Sequence, residues 1–257
     1  MQALSSAPHD VFAALRFVLT DMDETLTWRG RLAAATYDAL ERLQAGGIRV
    51  VPVTAAPAGW CDQMARMWPV DGVIGENGGL FIRRDAAGAR RSYPLLPDGI
   101  DAVRERLQAI AARVAAEVPE ARLADDQAFR LTSLAYQRTG TALDARIVDA
   151  LARAGADTTI NNLWVLGWTG GYDKRSTSLA VLAQEFGVDA DSALRVVGYS
   201  GDSTNDAPMF AHFRHTVGVS TVVESLPSLP VPPAWVTAGP GGAGFVEFAD
   251  AILRSRA

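Results

Sequence analysis

Two aspartates one residue apart, Asp21 and Asp23, directly follow the apolar run at residues 17–19. If this run is a buried strand, its alternation sends both carboxylates out on the same side of its carboxyl end. Two carboxylates held so close repel each other, and a shared proton or a divalent cation relieves the repulsion. Such a pair can bind Mg²⁺ and present one carboxylate as a nucleophile, although an acidic turn explains the same residues.

A second acidic cluster, at residues 201–206, follows another apolar run at 194–199. Its glycine permits a tight turn, so that the carboxylates of Asp202 and Asp206 and the amide of Asn205 face one spot. At the end of a neighbouring strand, they would complete an all-oxygen Mg²⁺ shell with the first pair. The alternative is a set of N-caps for the next helix, since the hydroxyl and amide side chains between the aspartates are good caps.

The composition excludes several classes of protein. The chain has 257 residues, of which 49% are hydrophobic and 21% charged, and this is typical of a folded globular protein. The net charge of −5 is spread along the chain without a basic run, which argues against nucleic acid as a partner. Cys61 is the only cysteine, so an intrachain disulfide and a cysteine-based zinc site are both excluded.

The chain shows no signal for secretion or membrane insertion. Residues 1–15 lack a basic region followed by a long apolar segment. No stretch approaches the roughly 20 apolar residues that span a bilayer. We therefore predict a cytoplasmic protein with no membrane partner.

The elements that must position the aspartates alternate between strand and helix. The predicted order is strand 17–19, helix 32–44, strand 48–53, helix 57–68 and strand 72–75. This alternation is typical of an α/β fold with a Rossmann-like, doubly wound parallel sheet. Ligands of such sheets bind beyond the carboxyl ends of the strands, where Asp21, Asp23 and Thr54 all fall.

From about residue 80 the pattern changes. We predict a hairpin at 79–84 and 90–95, helices at 100–117 and 143–154, a strand at 129–136, and one or two strands within 158–168. This is α+β material inserted into the parallel sheet. The predicted domains are therefore a core of residues 1–83 and 169–257 and a cap of residues 84–168.

The α/β pattern resumes at Lys174. The predicted elements are a helix at 176–186, a strand at 194–199, a short helix at 207–210, a strand at 216–219, an irregular loop at 225–244 and a helix at 245–254. Four tryptophans are expected to pack in the interior: Trp60, Trp68, Trp164 and Trp168. For Trp164 and Trp168, the alternative is that they line a sugar-facing surface.

Four motifs stand in a fixed order: Asp-x-Asp-x-Thr at 21–25, Thr54 at a strand end, Lys174 opening a helix, and Gly-Asp-x-x-Asn-Asp at 201–206. The set resembles the haloacid dehalogenase (HAD) superfamily of phosphatases. The insert, preceded by Glu-Asn-Gly-Gly at 76–79, is similar to that of subfamily IIB, the Cof-like and sugar-phosphatase branch. The resemblance implies a Mg²⁺-dependent phosphatase that hydrolyses a small phosphorylated metabolite, with a sugar phosphate expected, through an aspartyl-phosphate.

The resemblance also implies roles for the acidic residues. Asp21 would attack phosphorus, and Asp23 would protonate the leaving oxygen and then activate water. Asp21, the backbone carbonyl of Asp23, and Asp202 would ligate Mg²⁺. Asp206 would orient a bound water or Lys174.

Thr54 and Lys174 would hold the transferring phosphoryl oxygens, and Asn205 would form a hydrogen bond within this shell.

Two positions depart from the subfamily pattern. Glu24 replaces the usual glycine after the second aspartate. Ala56 replaces the arginine of the second motif, which removes a bidentate contact to phosphate or substrate.

Two other functions are compatible with these motifs. A phosphotransferase or sugar phosphomutase would form the same aspartyl-phosphate and pass the phosphoryl group to a hydroxyl instead of water. A catalytically weak module that binds phosphorylated metabolites is supported by the missing arginine of the second motif. For any of the three, we expect a monomer or homodimer.

Overall fold

The computed structural model describes residues 1–161 and 163–256 and contains both strands and helices. The strands are β1 (Gln2–Ala3), β2 (Phe17–Thr20), β3 (Thr27–Trp28), β4 (Arg31–Leu32), β5 (Arg49–Pro52), β6 (Val73–Gly75), β7 (Leu80–Asp85), β8 (Gly88–Ser92), β9 (Ser133–Gln137), β10 (Asp157–Ile160), β11 (Trp164–Trp168), β12 (Val197–Gly201), β13 (His215–Gly218) and β14 (Trp235–Val236). The helices are α1 (Ala34–Ala45), α2 (Ala58–Met67), α3 (Gly99–Glu117), α4 (Ala142–Arg153), α5 (Lys174–Phe186), α6 (Ala190–Val196), α7 (Ala207–His212) and α8 (Gly241–Arg254). None of the described helices has both the length and the apolar character needed to cross a membrane.

The central sheet has six parallel strands in the order β1, β14, β13, β12, β2, β5. A single parallel bridge between Val53 and Ile74 extends this sheet towards β6. Strands β2 and β5 are short, contain β-branched residues and are largely buried, which suits a sheet covered on both faces. The predicted α/β fold with a parallel Rossmann-like sheet is confirmed.

The alternation of side chains in β2 shows how the sheet is covered. Phe17 and Leu19 join the apolar cluster formed with α5, α6 and α7 on one face. Val18, between them, joins the cluster formed with α1 and α8 on the other. Each such buried side chain contributes about 1.5–3 kcal/mol relative to an exposed one. This packing fixes the direction in which the residues after β2 leave the sheet.

The inserted region forms a second layered unit. Its antiparallel sheet has the order β10, β11, β9, and α3 and α4 pack against it through a separate apolar cluster. Residue 84 lies within β7, and the hairpin of β7 and β8 pairs with β6 and packs on α2. We retain the division into core and cap as a proposal, with this hairpin on the core side.

The predicted strand at 194–199 begins too early. Asp189 accepts a hydrogen bond from the Ser192 backbone N–H and thereby caps α6, which continues to Val196. Only from Val197 does the chain enter β12. The helix-favouring residues of this stretch therefore prevail over its β-branched valines up to that point.

The predicted irregular loop at 225–244 contains regular structure at both its middle and its end. Trp235 and Val236 form β14, which pairs in parallel with β13 and β1. The last helix begins at Gly241, four residues before the predicted start. Gly242 packs closely on Leu26, the residue before β3, and on Thr36 of α1, so that an added Cβ would lie 2.7 Å from the Leu26 carbonyl oxygen. The many glycines here serve helix packing as well as turns.

Glu76 connects the cap to the core. Its buried carboxylate accepts hydrogen bonds from the backbone N–H groups of Ala58 (3.0 Å), Leu131 (2.9 Å) and Thr132 (2.8 Å). It also accepts from the hydroxyls of Thr132 (3.0 Å) and Ser133 (2.7 Å). Because these bonds occupy the backbone at 131–132, the predicted strand at 129–136 is wrong at its start, and β9 begins only at Ser133.

We predict that Glu76→Gln destabilises the protein. The glutamine amide nitrogen cannot accept hydrogen bonds, so buried donors around it lose their partner, and the free energy of unfolding should fall by about 2–4 kcal/mol. Chemical denaturation measures this change. Glu105→Gln, at an exposed position of α3, is the control and should change stability by less than about 0.5 kcal/mol. Equal stability of the two variants would contradict the prediction.

Candidate active site

Asp21 and Asp23 leave the central sheet at the carboxyl end of β2, between β12 and β5. The two neighbouring strands are tied there, because the Ser200 hydroxyl donates to the Thr20 hydroxyl at 2.7 Å and the Asp21 N–H donates to the Ser200 carbonyl at 2.8 Å. Asp21 is only 4% exposed, whereas Asp23 is half-buried and lines an open cleft. Both aspartates face the same cleft.

The second acidic cluster lies at the end of the neighbouring strand β12. Oδ2 of Asp206 accepts from the backbone N–H groups of Asp202 (3.0 Å) and Ser203 (3.1 Å), which closes a capping box at a short 3-10 turn. Oδ1 of Asp206 accepts from the Tyr199 hydroxyl at 2.5 Å. One carboxylate oxygen of Asp206 thus belongs to the capping box of the turn, while the other remains with the acidic cluster.

Gly201 has a role different from the predicted tight turn. Its φ angle is outside the positive region in which glycine is favoured. A Cβ at this position would lie 2.5 Å from Oδ2 of Asp206. The absence of a side chain at Gly201 therefore allows the Asp206 carboxylate to fold back against β12.

Lys174 joins the two clusters. It is the first residue of α5, and Asp173 caps this helix by accepting from the Ser176 N–H. The Lys174 Nζ donates to Oδ1 of Asp21 at 2.8 Å and to Oδ1 of Asp206 at 2.7 Å, and the side chain is 2% exposed. Burial alone would lower the pKa of Lys174, but the carboxylates of Asp206 and Asp21 outweigh it and raise the pKa.

Thr54 and Asn205 lie at the same edge of the sheet. Thr54 follows β5 and is fully buried, and its hydroxyl oxygen accepts from the Ala56 N–H at 3.0 Å, which leaves its proton to donate. Asn205 is half-buried and lines the cleft with Asp21 and Asp23. Its side-chain oxygen accepts from the Ser203 hydroxyl at 2.6 Å.

The carboxylates of the site lie close together, and their negative charge exceeds the positive charge paired with them. Oxygen atoms of Asp21, Asp202 and Asp206 all lie within 4.8 Å of one another. Burial raises the pKa of Asp202 to about 8, that of Asp21 to about 7 and that of Asp23 to about 6. Among the described residues, Lys174 is the one cation paired with this triad. A hard divalent cation coordinated by oxygen fits this donor set and its unbalanced charge.

The backbone conformation at Glu24 explains why the subfamily pattern has a glycine at this position. Its φ is 58°, in the left-handed region that glycine enters without strain. The Glu24 carboxylate accepts from the Arg29 N–H at 2.9 Å, and its own N–H donates to the Thr27 hydroxyl at 3.2 Å. The side chain is thus anchored to the hairpin of β3 and β4.

Two residues assist the acidic cluster although the sequence assigned them no role. The Thr25 hydroxyl donates to Oδ1 of Asp202 at 3.2 Å, and the Tyr199 hydroxyl donates to Asp206. Thr25 is part of the first motif, so its spacing from Asp21 was a usable signal. Tyr199 lies within the predicted strand, and tyrosine is not a residue type that the sequence pattern assigns to a metal site. Its hydrogen bond to Asp206 is therefore visible only in the structure.

Arg130 of the inserted region reaches the second motif. Its guanidinium forms a bidentate pair with Asp126 (3.0 and 2.7 Å) and donates to the Ala55 carbonyl at 3.0 Å. This places a buried cation beside the segment in which Ala56 replaces the expected arginine. The hydrogen bonds of Arg130 make it a tie between cap and core.

The inserted region also covers the cleft. Asn161 and Leu163, in the turn between β10 and β11, line it opposite Asp21 and Asp23. The Asn161 side-chain oxygen holds this turn by accepting from the N–H groups of Leu163 (2.9 Å) and Trp164 (2.7 Å). The cleft has a volume of about 200 Å³, which suits a small group such as a phosphoryl group.

Neither a protein-family model nor a curated protein matches the sequence. Several solved structures are similar over nearly their whole length. A protein from Thermoplasma acidophilum has a TM-score of 0.72 at 16% identity, over 93% of this chain and 99% of its own. A protein described as a HAD/COF-like hydrolase, from Plasmodium vivax, has a TM-score of 0.67 at 15% identity, over 95% of each chain.

A phosphatase of the HAD superfamily from Bacteroides thetaiotaomicron has a TM-score of 0.65 at 18% identity, over 97% of each chain. At these identities the similarity establishes the fold. The resemblance drawn from the four motifs is therefore confirmed at that level: this chain has the fold of the Cof-like hydrolases of the HAD superfamily.

Proposed function

We propose that this protein is a Mg²⁺-dependent phosphomonoesterase that acts on a small phosphorylated metabolite through an aspartyl-phosphate. The observation that carries the proposal is the bridge of Lys174 between Asp21 and Asp206, beside Asp202. A lysine held this way positions a carboxylate and supplies positive charge where phosphoryl oxygens would lie. Asp23, in the same cleft, adds a group that can transfer a proton.

Two displacements at phosphorus make up the proposed reaction. In the first, an Asp21 oxygen bonds to phosphorus, the bond to the ester oxygen breaks, and that oxygen takes the proton of Asp23. In the second, water attacks phosphorus, gives a proton to Asp23, and releases inorganic phosphate from Asp21. A pKa of about 6 for Asp23, raised by burial, suits a group that is an acid in one step and a base in the other.

The remaining residues bind and orient the phosphoryl group. Asp21, Asp202 and the backbone carbonyl of Asp23 would hold Mg²⁺, which supplies positive charge to the phosphoryl oxygens when bound. Thr54 and Lys174 would donate to the same oxygens. Asp206 fixes the position of the Lys174 ammonium.

A sugar phosphate is what the resemblance suggests, and the small cleft under the cap fits a compact phosphorylated metabolite. A cytoplasmic location, the lack of a nucleic-acid partner and a monomeric or homodimeric state stay predictions from the sequence.

We predict that Asp21→Asn abolishes turnover. An amide is not a nucleophile towards phosphorus, so kcat for phosphate release should fall by at least about 10³-fold while the protein stays folded. Release of inorganic phosphate from a panel of phosphate esters with Mg²⁺ measures the effect, and circular dichroism checks the fold. Asp149→Asn, exposed on α4, is the matched control and should retain full activity.

Hydrolysis by folded Asp21→Asn at the wild-type rate would show that the nucleophile is misassigned.

Product analysis separates hydrolysis from phosphoryl transfer. A phosphatase releases one inorganic phosphate for each ester consumed, whereas a phosphotransferase leaves the phosphoryl group on a second hydroxyl.

We predict that the stability of the metal-free protein falls as pH rises from about 5 to 8. Asp21 and Asp202 have pKa values of about 7 and about 8 in the folded state. Unfolded aspartate has a pKa of about 3.9, so the folded state binds more protons across this window and loses that advantage as pH rises. Thermal unfolding with a chelator present, at pH 5 and pH 8, measures the decline.

Adding Mg²⁺ should reverse this decline, because the ion binds the deprotonated carboxylates. At about 100 times its dissociation constant the ion adds about 2.7 kcal/mol, which should raise Tm at pH 8 by about 5–10 °C and less at pH 5. Asp202→Asn should lose most of this increase, while Asp149→Asn should keep it. A Tm increase equal at the two pH values, or unchanged in Asp202→Asn, would place the ion elsewhere.

A further inference from the structure

A second cavity opens beside the catalytic cleft. It has a volume of about 370 Å³, compared with about 200 Å³ for the cleft itself, and we call it the side pocket. Its wall includes large apolar side chains from both the core and the inserted region: Met22, Leu32, Trp60, Met64, Trp68 and Trp164. Three of the tryptophans predicted to pack in the interior thus line a cavity.

The side pocket is continuous with the catalytic cleft. Asp23, Gly30, Ala55, Asn161 and Leu163 line both cavities. Asp23 is the proposed donor of the proton that the leaving oxygen receives. A group attached to that oxygen therefore has space available in the side pocket, which Asp23 also lines.

The polar groups deep in the side pocket are already bonded within the protein. Arg130 and Asp126 neutralise each other through their bidentate pair. The Thr27 hydroxyl donates to the Met22 carbonyl at 3.3 Å and accepts from the Glu24 N–H at 3.2 Å. A polyhydroxylated group such as a sugar would lose water in this pocket and gain few hydrogen bonds in return.

Of the remaining polar residues of the wall, Asp23 and Asn161 are shared with the catalytic cleft, and the other two lie at the mouth of the side pocket. Gln63 and Asp125 are both exposed. Two large apolar side chains are also exposed there, on opposite sides: Trp60 of α2 is 56% exposed and Leu163 of the inserted region is 52% exposed. Such exposed apolar side chains around a cavity are typical of a site that buries an apolar ligand.

Position 56 fits the same interpretation. Ala56 lines the side pocket, at the position where the resemblance leads one to expect an arginine. Ala55 beside it is also part of the wall, and its carbonyl is occupied by Arg130. The second motif thus presents two methyl groups to the ligand instead of a cation that would bind a polar one.

We propose that the substrate is a phosphomonoester whose leaving group is apolar, either a single aromatic ring or a short alkyl chain. The phosphoryl group lies in the catalytic cleft, and the carbon-bearing part of the alcohol fills the side pocket. This inference rests on the proposed phosphomonoesterase function and replaces the sugar phosphate as its substrate class. A cavity of this size is at the lower end of small-molecule sites.

The first test compares primary alkyl phosphates, whose leaving alcohols differ little in basicity, so that differences in rate report binding. Ethyl, butyl and benzyl phosphate are compared with a hexose phosphate under saturating Mg²⁺. We expect kcat/KM to rise about three- to fourfold for each added methylene, and benzyl phosphate to exceed the hexose phosphate by at least about 100-fold. No rise with chain length, or a preference for the hexose phosphate, would overturn the proposal.

The second test uses two leucines of similar exposure in the inserted region. Leu163→Ala should lower kcat/KM for benzyl phosphate about tenfold and reduce the preference for benzyl over ethyl phosphate. Leu123, 43% exposed and outside the side pocket, is the matched control, and Leu123→Ala should keep the wild-type preference. Trp60→Ala tests the opposite side of the mouth in the same way. Equal effects of the two leucine variants would contradict the assignment of the pocket.

Failure of the two proposals can be told apart. If the hexose phosphate is hydrolysed with Mg²⁺ but apolar esters are not preferred, only the side-pocket proposal fails. If no ester is hydrolysed, the phosphomonoesterase proposal fails, and binding still tests the pocket. Calorimetry should then show that benzylphosphonate binds at least about tenfold more tightly than methylphosphonate, with a more negative heat-capacity change; equal affinities would refute the pocket.

Discussion

The structure of the site depends on one buried interaction, the contact of the Lys174 ammonium with Asp21 and Asp206. Leaving two such carboxylates without a cation inside the protein costs about 3–5 kcal/mol, so α5 must start where it does for the end of the sheet to be stable. The same contact holds the Asp21 carboxylate, after β2, beside the Asp206 carboxylate, which follows β12. Charge balance in the interior and the chemistry proposed for Asp21 therefore depend on the same atoms.

The sequence predicted those parts of the site that depend on local rules. Alternation in β2 was enough to place Asp21 and Asp23 together, and the parallel sheet was enough to bring Asp202 to the same edge. The boundary between α6 and β12 was missed because Val196 and Val197 have equal strand propensity, although the first belongs to the helix that Asp189 caps at its start and the second to the strand. The role of Gly201 was misjudged because steric room next to Asp206 leaves no local pattern.

Contacts between residues distant in the sequence could not be predicted. Arg130 is 75 residues from Ala55, and neither position indicates that the guanidinium will contact the second motif. The same holds for the side pocket, whose walls combine α2, the segment after β2 and the turn between β10 and β11. Tryptophans at helical or strand spacing predict burial, but they do not distinguish packing against the protein from packing against a ligand.

The carboxylate of Glu76 has a consequence for motion. It holds Ala58 of the core and residues 131–133 of the inserted region at a single point, through five hydrogen bonds. A displacement that lifts the inserted region straight off the core breaks most of these bonds, whereas a rotation about this point preserves them. We therefore expect any motion of the inserted region to be a rotation about Glu76. Such a rotation would change the distance between the catalytic cleft and the two cleft-lining residues Asn161 and Leu163.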